Sequence, residues 1–324
     1  MREITQIPSP DSQLLADLYG SIDSTHVTAG RFRYCTPDSV FTDSRGAVCV
    51  WSTNAPSIDD HVIGVIGCFA ADNGDTAVNL LNEASRFLGD SGCTLAIGPM
   101  DANTWNRYRA MTQRGERPAF FLEPQNPVEW ATCFTDAGFK SIAEYTSALV
   151  DDLTRKDPRL EKAIKRLSDS GITIRHLDAD RFEHELAAIH QLSLECFAGN
   201  FLYSPISAEE FAHQYTLIQP MVRPELVLIA EDHSGPVGFM FAIPDALQGD
   251  SIDTVILKTV ARLSKRVYSG LGNVLVERCH TIAHELGYKH VIHALMHETN
   301  TSISLSSRYG NPFRRYALFG KALV

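Results

Sequence analysis

Residues 255–286, VILKTVARLSKRVYSGLGNVLVERCHTIAHEL, combine residue types that suit a phosphate ligand. Residues 256–261 are apolar and β-branched, the pattern of a strand. Gly270, Leu271 and Gly272 follow. Val274, Leu275, Cys279, Ile282, Ala283 and Leu286 then recur along one stripe of an amphipathic helix. Glycines at the mouth of a helix let the backbone approach a ligand closely, and the N–H groups of the first turn, with the helix dipole, favour an anion. Arg262, Lys265 and Arg266 lie just before the turn and add cations. A plain helix start with a tight turn is the alternative reading of the same residues. Spacing excludes two better-known phosphate loops. There is no GxxxxGK followed by Ser or Thr, and Val274 and Leu275 stand where a dinucleotide-binding GxGxxG would have its third glycine. The ligand expected at this turn is a pyrophosphate of another kind.

With its strand, basic turn, GLG and helix in sequence, this segment resembles the GNAT superfamily of acyl-CoA-dependent N-acyltransferases. In that family a strand runs into Q/R-x-x-G-x-G/A and a helix. The matching residues are Val267, Tyr268, Ser269, Gly270, Leu271 and Gly272, followed by Asn273, and Val267 stands where the family has Gln or Arg. The resemblance implies that the loop cradles the pyrophosphate of acetyl-CoA, or of a related acyl-CoA, chiefly through backbone N–H groups. It also implies that Val260, Ala261 and Arg262 meet the pantetheine arm. Asn300, opening a helix after a strand at 290–295, is similar to the Asn of the family's third motif, which contacts pantetheine. The family's general acid is a tyrosine seven residues beyond that Asn. Here the position is Ser307 and Tyr309 lies two residues further on, so Tyr309 in a shifted register, Ser307 or a water fills the role. The resemblance extends over residues 172–324.

An attacking amine must lose a proton, which a carboxylate or histidine can accept. Glu231, Asp245, Glu298 and His293, with His297 beside it, are the candidates, each of which also reads as an ordinary turn, surface or core residue. No Ser-His-Asp or Cys-His arrangement stands out, so direct attack by a primary amine is expected and a covalent acyl-enzyme is not. His280 and His284 are four apart on one helix but lie outside any HExxH, and their positions are also those of a solvated helix flank. No metal is expected.

The elements that must position these groups occur twice. Strand patterns at 47–52 and 61–69, a helix at 76–87 and a strand at 94–97 are echoed by strands at 226–231, 237–243 and 252–261, a helix at 274–286 and a strand at 290–295. This alternation predicts an α/β (α+β layered) fold of two tandem GNAT-like domains, each a mixed, mostly antiparallel sheet flanked by helices. The expected division is a degenerate domain at 1–153, a linker helix at 154–170 and the acyl-CoA-binding domain at 171–324. In the first half the loop corresponding to the phosphate turn, residues 70–76, has one glycine and two carboxylates, which would repel a pyrophosphate. Residues 98–109 and 120–127 combine aromatic, amide and charged side chains near a strand end. They either shape an acceptor pocket or make turns while Trp105 and Tyr108 pack inward.

Composition narrows the partners. The 324 residues carry 29 Lys and Arg against 39 Asp and Glu, a formal net charge of −10. Residues 1–153 hold 10 basic and 20 acidic groups, and the remainder holds 19 of each. Nucleic acid is not an expected partner of such a surface. The longest uncharged apolar stretch, residues 62–71, is half the roughly 20 residues of a membrane helix. No apolar export signal opens the sequence, and seven scattered cysteines without a CxxC suggest reduced thiols. A cytoplasmic N-acyltransferase acting on a small-molecule or peptide amine is the expectation. A non-catalytic acyl-CoA-binding sensor or complex subunit is the alternative.

Overall fold

The computed structural model describes residues 4–21, 32–53, 55, 56, 58 and 60–323. Its strands are β1 (Thr5–Pro8), β2 (Ser39–Asp43), β3 (Gly46–Trp51), β4 (Ile63–Ala71), β5 (Leu95–Gly98), β6 (Ala110–Gln113), β7 (Lys140–Val150), β8 (Thr173–His176), β9 (Val227–Asp232), β10 (Gly235–Pro244), β11 (Thr254–Arg262), β12 (His290–His297) and β13 (Asn311–Ala322). Its helices are α1 (Ser12–Ser21), α2 (Gly74–Asp90), α3 (Glu129–Asp136), α4 (Leu160–Asp169), α5 (Phe182–Phe197), α6 (Ala208–Ile218), α7 (Leu271–Glu285) and α8 (Thr301–Ser306).

The two repeated units have the same local logic. In β4–α2–β5, Asn73 caps the helix by accepting from the Thr76 N–H, and Ala77, Leu80, Leu81, Ala84 and Leu88 bury one stripe against the sheet. In β11–α7–β12 the cap is Gly270 at φ 83°, a left-handed conformation that glycine adopts without strain. Leu271, Val274, Leu275, Cys279 and Ala283 supply the buried stripe. Each unit joins its two strands in parallel, and the other pairings of the sheet are antiparallel.

All the described strands form one continuous sheet. Its order is β1-β2-β3-β4-β5-β13-β7-β12-β11-β10-β9-β8, with β6 pairing with β13 to one side. The two halves therefore mirror each other strand for strand and exchange their closing members. β7 follows α3 in the first half yet pairs with β12 of the second. β13 follows α8 in the second half yet pairs with β5 and β6 of the first. The exchanged strands then pair with each other along the middle, from Asn311↔Leu149 to Gly320↔Lys140. Strand pairing crosses the expected boundary near residue 153 four times, in β7–β12, β7–β13, β5–β13 and β6–β13. α4 occupies the expected linker, with Leu160, Ala163 and Leu167 buried.

A buried ion pair ties the first half onto β13. Arg314 donates to Glu123 at 2.5 Å with both side chains fully enclosed, and its remaining donors reach the carbonyls of Arg114, Arg117 and Pro118. Glu123 also accepts from Tyr316 and from the Phe120 N–H. The pair meets the condition for a tolerable buried charge, with its hydrogen-bonding groups answered by protein partners.

The two units differ where their parallel strands part. β4 and β5 pair through Val65↔Ile97 and then separate, but the chain fills its own gap. The Met100 N–H donates to the Ile66 carbonyl at 2.8 Å, and the Cys68 N–H donates to Asp101 Oδ1 at 2.6 Å. Gly67 permits this approach, because a Cβ there would lie 2.0 Å from the Met100 carbonyl oxygen. The first half is thus closed at the place where the second half is open. Gly67→Ala should destabilise the protein by about 3 kcal/mol through forced overpacking. Urea denaturation of the variant checks this, and an unchanged midpoint would show that residues 98–101 do not plug the gap.

Candidate active site

β11 and β12 pair in parallel from Thr254↔His290 to Leu257↔His293 and then diverge. The cause is visible at Leu295. Its backbone sits at φ 59°, its N–H donates to Ser147 Oγ on β7 at 3.2 Å, and its carbonyl accepts from Arg109 Nη1 at 3.0 Å. Both of its backbone groups are therefore taken by side chains and not by the backbone of a neighbouring strand. Arg109 is itself buried, with its guanidinium carbon 3.7 Å and 4.0 Å from the ring centres of Tyr108 and Tyr145.

The divergence opens into a cavity of about 1260 Å³. One wall is the exposed edge of β11 at residues 258–262, leading to Gly270, Gly272 and Asn273 at the start of α7. The opposite wall is residues 294–297 of β12 and residues 299–302 beyond it. Residues 104–109 and 122–125 of the first half close the far end. An aromatic face built from Trp105, Phe197, Tyr203, Tyr215 and Phe241 lines the remainder, with Trp105 edge-on to Phe197 and Tyr203, and Tyr215 edge-on to Phe241. Three of its residues other than glycine hold positive φ: Arg109 at 72°, Leu122 at 63° and Leu295 at 59°. Such strain persists only where packing over-determines it, and it gathers at working sites.

Of the expected ligand-binding residues, the cavity brings together Val260, Ala261, Arg262, Gly270, Gly272, Asn273 and Asn300. No side chain caps α7, so the first-turn N–H groups remain available. Asn300 lines the cavity and caps α8 by accepting from the Ser302 N–H. The rest of the loop plays supporting parts. Tyr268 is buried and donates to Asp232 at 2.7 Å, Leu271 lies in the core, and the Ser269 carbonyl accepts from Arg166 of α4. Val267 is exposed and lines no part of the cavity.

Of the expected proton-transfer residues, His297 lines the cavity, and so does His293. The His293 Nε2 lies 2.9 Å from His280 Nε2 and its Nδ1 lies 2.8 Å from Ser306 Oγ. His280 is fully buried, so it is not the solvated flank suggested by its place in the sequence, because the stripe of α7 turns it inward. Tyr309 points away from the cavity. It packs on His280 and donates to Glu277 on α7 at 3.2 Å, within a network joining Asp157, Arg159 and Arg308. Ser307 is exposed and donates to the Ser304 carbonyl. Glu231 pairs with Arg175 at 2.6 Å near the β8 edge of the sheet. Asp245 accepts from the Phe121 and Leu247 N–H groups. Among the described residues, no three His, Cys, Asp or Glu side chains come together as a metal-ligand set.

Sequence reasoning passed over Lys258, and it included Arg109 only as the last residue of the stretch 98–109. The lone cation in VILKTV was the available signal for Lys258, since a strand that is apolar on both sides has no ordinary use for a lysine. Residues 98–109 and 120–127 do reach the cavity, and Trp105 and Tyr108 make aromatic contacts there as well.

No protein-family model matches the chain. Among curated proteins, the bacterial ceramide synthase of Caulobacter vibrioides is 20% identical over 183 residues, which is 56% of this chain and 48% of that protein. Protein YghO of Escherichia coli is 22% identical over 179 residues, 54% of this chain and 45% of that protein. The chain spans about half the length of the curated relatives it matches. Two solved structures superpose over nearly the whole chain. A GCN5-related N-acetyltransferase from Sphaerobacter thermophilus gives a TM-score of 0.51 at 11% identity, covering 99% of this chain and 96% of that one. A tandem GNAT protein from the clavulanic acid biosynthesis pathway gives 0.51 at 12%, covering 99% and 98%. The chain has the fold of the GCN5-related N-acetyltransferases, present in tandem. At these identities the likeness is one of fold.

Burial holds the His293 imidazole down at about 4, and burial with His293 as neighbour holds His280 below the ordinary value. Both rings are neutral in the folded protein at neutral pH. An unfolded histidine titrates near 6.5, so between that pH and about 4 the unfolded chain binds more protons. The contribution of His293 to stability is complete above about pH 6.5 and is lost as the pH falls toward 4, on the order of 3 kcal/mol in all. Urea midpoints measured from pH 7 to 4.5 should fall for the native chain and flatten for His293→Gln. Parallel profiles would show that this imidazole does not titrate on unfolding.

Proposed function

We propose that this chain is an N-acyltransferase that moves the acyl group of a CoA thioester, with acetyl-CoA as the first donor to test, onto a primary amine by direct attack. The observation that carries the reading is the continuous path from the uncapped start of α7, along the open edge of β11, into a cavity closed by loops of the other half. The pyrophosphate would lie on the N–H groups of residues 271–273 with Arg262 alongside. The pantetheine arm, with its two amides, would add to the free edge of β11 as an extra strand does. Its thioester would then reach the point where β11 and β12 part, with strand N–H groups placed to polarise the carbonyl. The cavity exceeds the roughly 300–1,000 Å³ of a single small-molecule site, which suits a donor arm and an acceptor together.

The amine would enter between residues 104–109 and 122–125, and holding it beside the thioester would supply most of the acceleration. With Tyr309 and Ser307 outside the cavity, a water is the proton source for the departing thiolate. A ceramide is an amide of a long-chain amino alcohol, so the name of one curated relative belongs to the same bond-forming chemistry. A cytoplasmic setting is part of the proposal. The placement of Tyr309 favours a second reading, a protein that binds acyl-CoA without turning it over.

Calorimetric titration with acetyl-CoA, comparing the native chain with Gly272→Glu, tests the reading. Gly272 has ordinary backbone angles and a Cβ there would stand 3.6 Å from Val260, so the variant should fold while setting a carboxylate in the phosphate site. Binding by the native chain and at least a tenfold loss in the variant are expected. Equal binding, or none by the folded native chain, would overturn the assignment. Release of free thiol with added amines separates the catalyst from the binding protein.

A further inference from the structure

Lys258 is the cavity residue whose chemistry the acyltransferase reading leaves unused, and the inference drawn from it rests on that reading. Phe241 pairs with Thr259 and Ala242 with Leu257, so Lys258 is the extra residue of a bulge on β11. It directly follows Leu257, the last residue of β11 paired with β12. It therefore stands at the fork where a thioester running along the open edge would end. Its side chain lines the cavity, and Nζ donates to the carbonyl of Leu122 across it at 3.3 Å.

Two charged groups face Lys258. Arg109 is the nearer in effect and repels its proton. Glu123 attracts it, but that carboxylate is already held by Arg314, Tyr316 and the Phe120 N–H. No carboxylate forms an ion pair with Lys258 among the described residues. Lys258 is half-buried, and desolvation at its place in the cavity, reinforced by Arg109, brings the ammonium down to about 7. A large share of the side chain is then a neutral amine near neutral pH, whereas an ordinary exposed lysine titrates near 10.4. Desolvation of this kind turns lysine into a nucleophile.

We propose that Lys258 is a site of self-acylation. With an acyl-CoA laid along β11, Nζ attacks the thioester carbonyl and a C–N bond forms. The C–S bond breaks, and the proton lost by nitrogen ends on the departing sulfur. One acyl-CoA and one lysine become one ε-N-acyl-lysine and one free CoA thiol. The product is uncharged and longer, and it lies across the cavity between β11 and Leu122. Acyl-Lys258 is thus a closed form of the site, produced when donor is present and acceptor is scarce.

The test incubates the full chain with acetyl-CoA and no amine at pH 7 and pH 9, followed by digestion and mass measurement of each lysine. Acetyl on Lys258 should accumulate at least about tenfold faster at pH 7 than on exposed Lys162, Lys165 and Lys289, and it should change little between the two pH values. Lys258→Arg should lose this label and keep the slow surface labelling. Gly272→Glu should lose it because the donor is gone. Bound acetyl-CoA in calorimetry with Lys258 unmodified overturns the proposal. So does labelling of Lys258 at the surface rate, or labelling that persists in Gly272→Glu. Absence of acetyl-CoA binding by the folded native chain instead overturns the acyltransferase reading, and the proposal with it.

Discussion

Leu295 gives neither its N–H nor its carbonyl to the backbone of an adjacent strand, and the open site follows from that. Once Ser147 and Arg109 take those two groups, β12 cannot continue alongside β11, and the space between them becomes a cavity. An unanswered buried peptide group would be expensive, so the gap exists only because two side chains answer it. Ser147 lies on β7 and Arg109 precedes β6, so both come from the first half of the chain. The half whose own fork is closed thereby holds open the fork of the other. In its own fork the Ile66 carbonyl and the Cys68 N–H on the edge of β4 are satisfied by residues 100 and 101.

The charge of the cavity is opposite to that of the molecule. The chain carries a formal charge of −10, concentrated in residues 1–153, yet that half contributes Arg107 and Arg109 to the cavity wall, and its carboxylate there, Glu123, is neutralised by Arg314. Asp101 likewise faces Arg107 at 3.4 Å. The inside of the cleft therefore presents cations on both sides, from Arg109 to Arg262 and Arg308. Bulk charge describes the solvated surface and its solubility, whereas a site is governed by the few groups that desolvation leaves in view.

Much of the fold was legible because its signals are local. Apolar runs, the stripe of α7 and the glycines at its mouth announced both strand–helix–strand units and the glycine-bounded start of α7. Which strand pairs with which was not legible. β7 and β13 carry ordinary strand patterns, and nothing in an alternating pattern names a partner far away in sequence. Tyr309 shows the same limit at the scale of one side chain. Counting from Asn300 puts a phenol near the expected place, but Glu277, one turn along another helix, decides where its hydroxyl goes. Burial pushes that phenol up, further from use as an acid at neutral pH. Lys258 was overlooked for a related reason: a bulge is a property of two paired strands, and the sequence of one of them does not show it.

The exchange of β7 and β13 also governs how the molecule can be assembled in time. β5 has no neighbour on its outer side until residues 311–322 arrive, so the first half cannot complete its sheet before the second half has been made. Until then it presents a strand edge of the kind that invites mispairing. The pairing of β5 with β13 spans more than two hundred residues, and contacts of that range slow folding because the loop must close before they form. The two halves are therefore one cooperative folding unit: each depends on the other for its last strand, and cutting the chain at the apparent boundary would leave two open sheets.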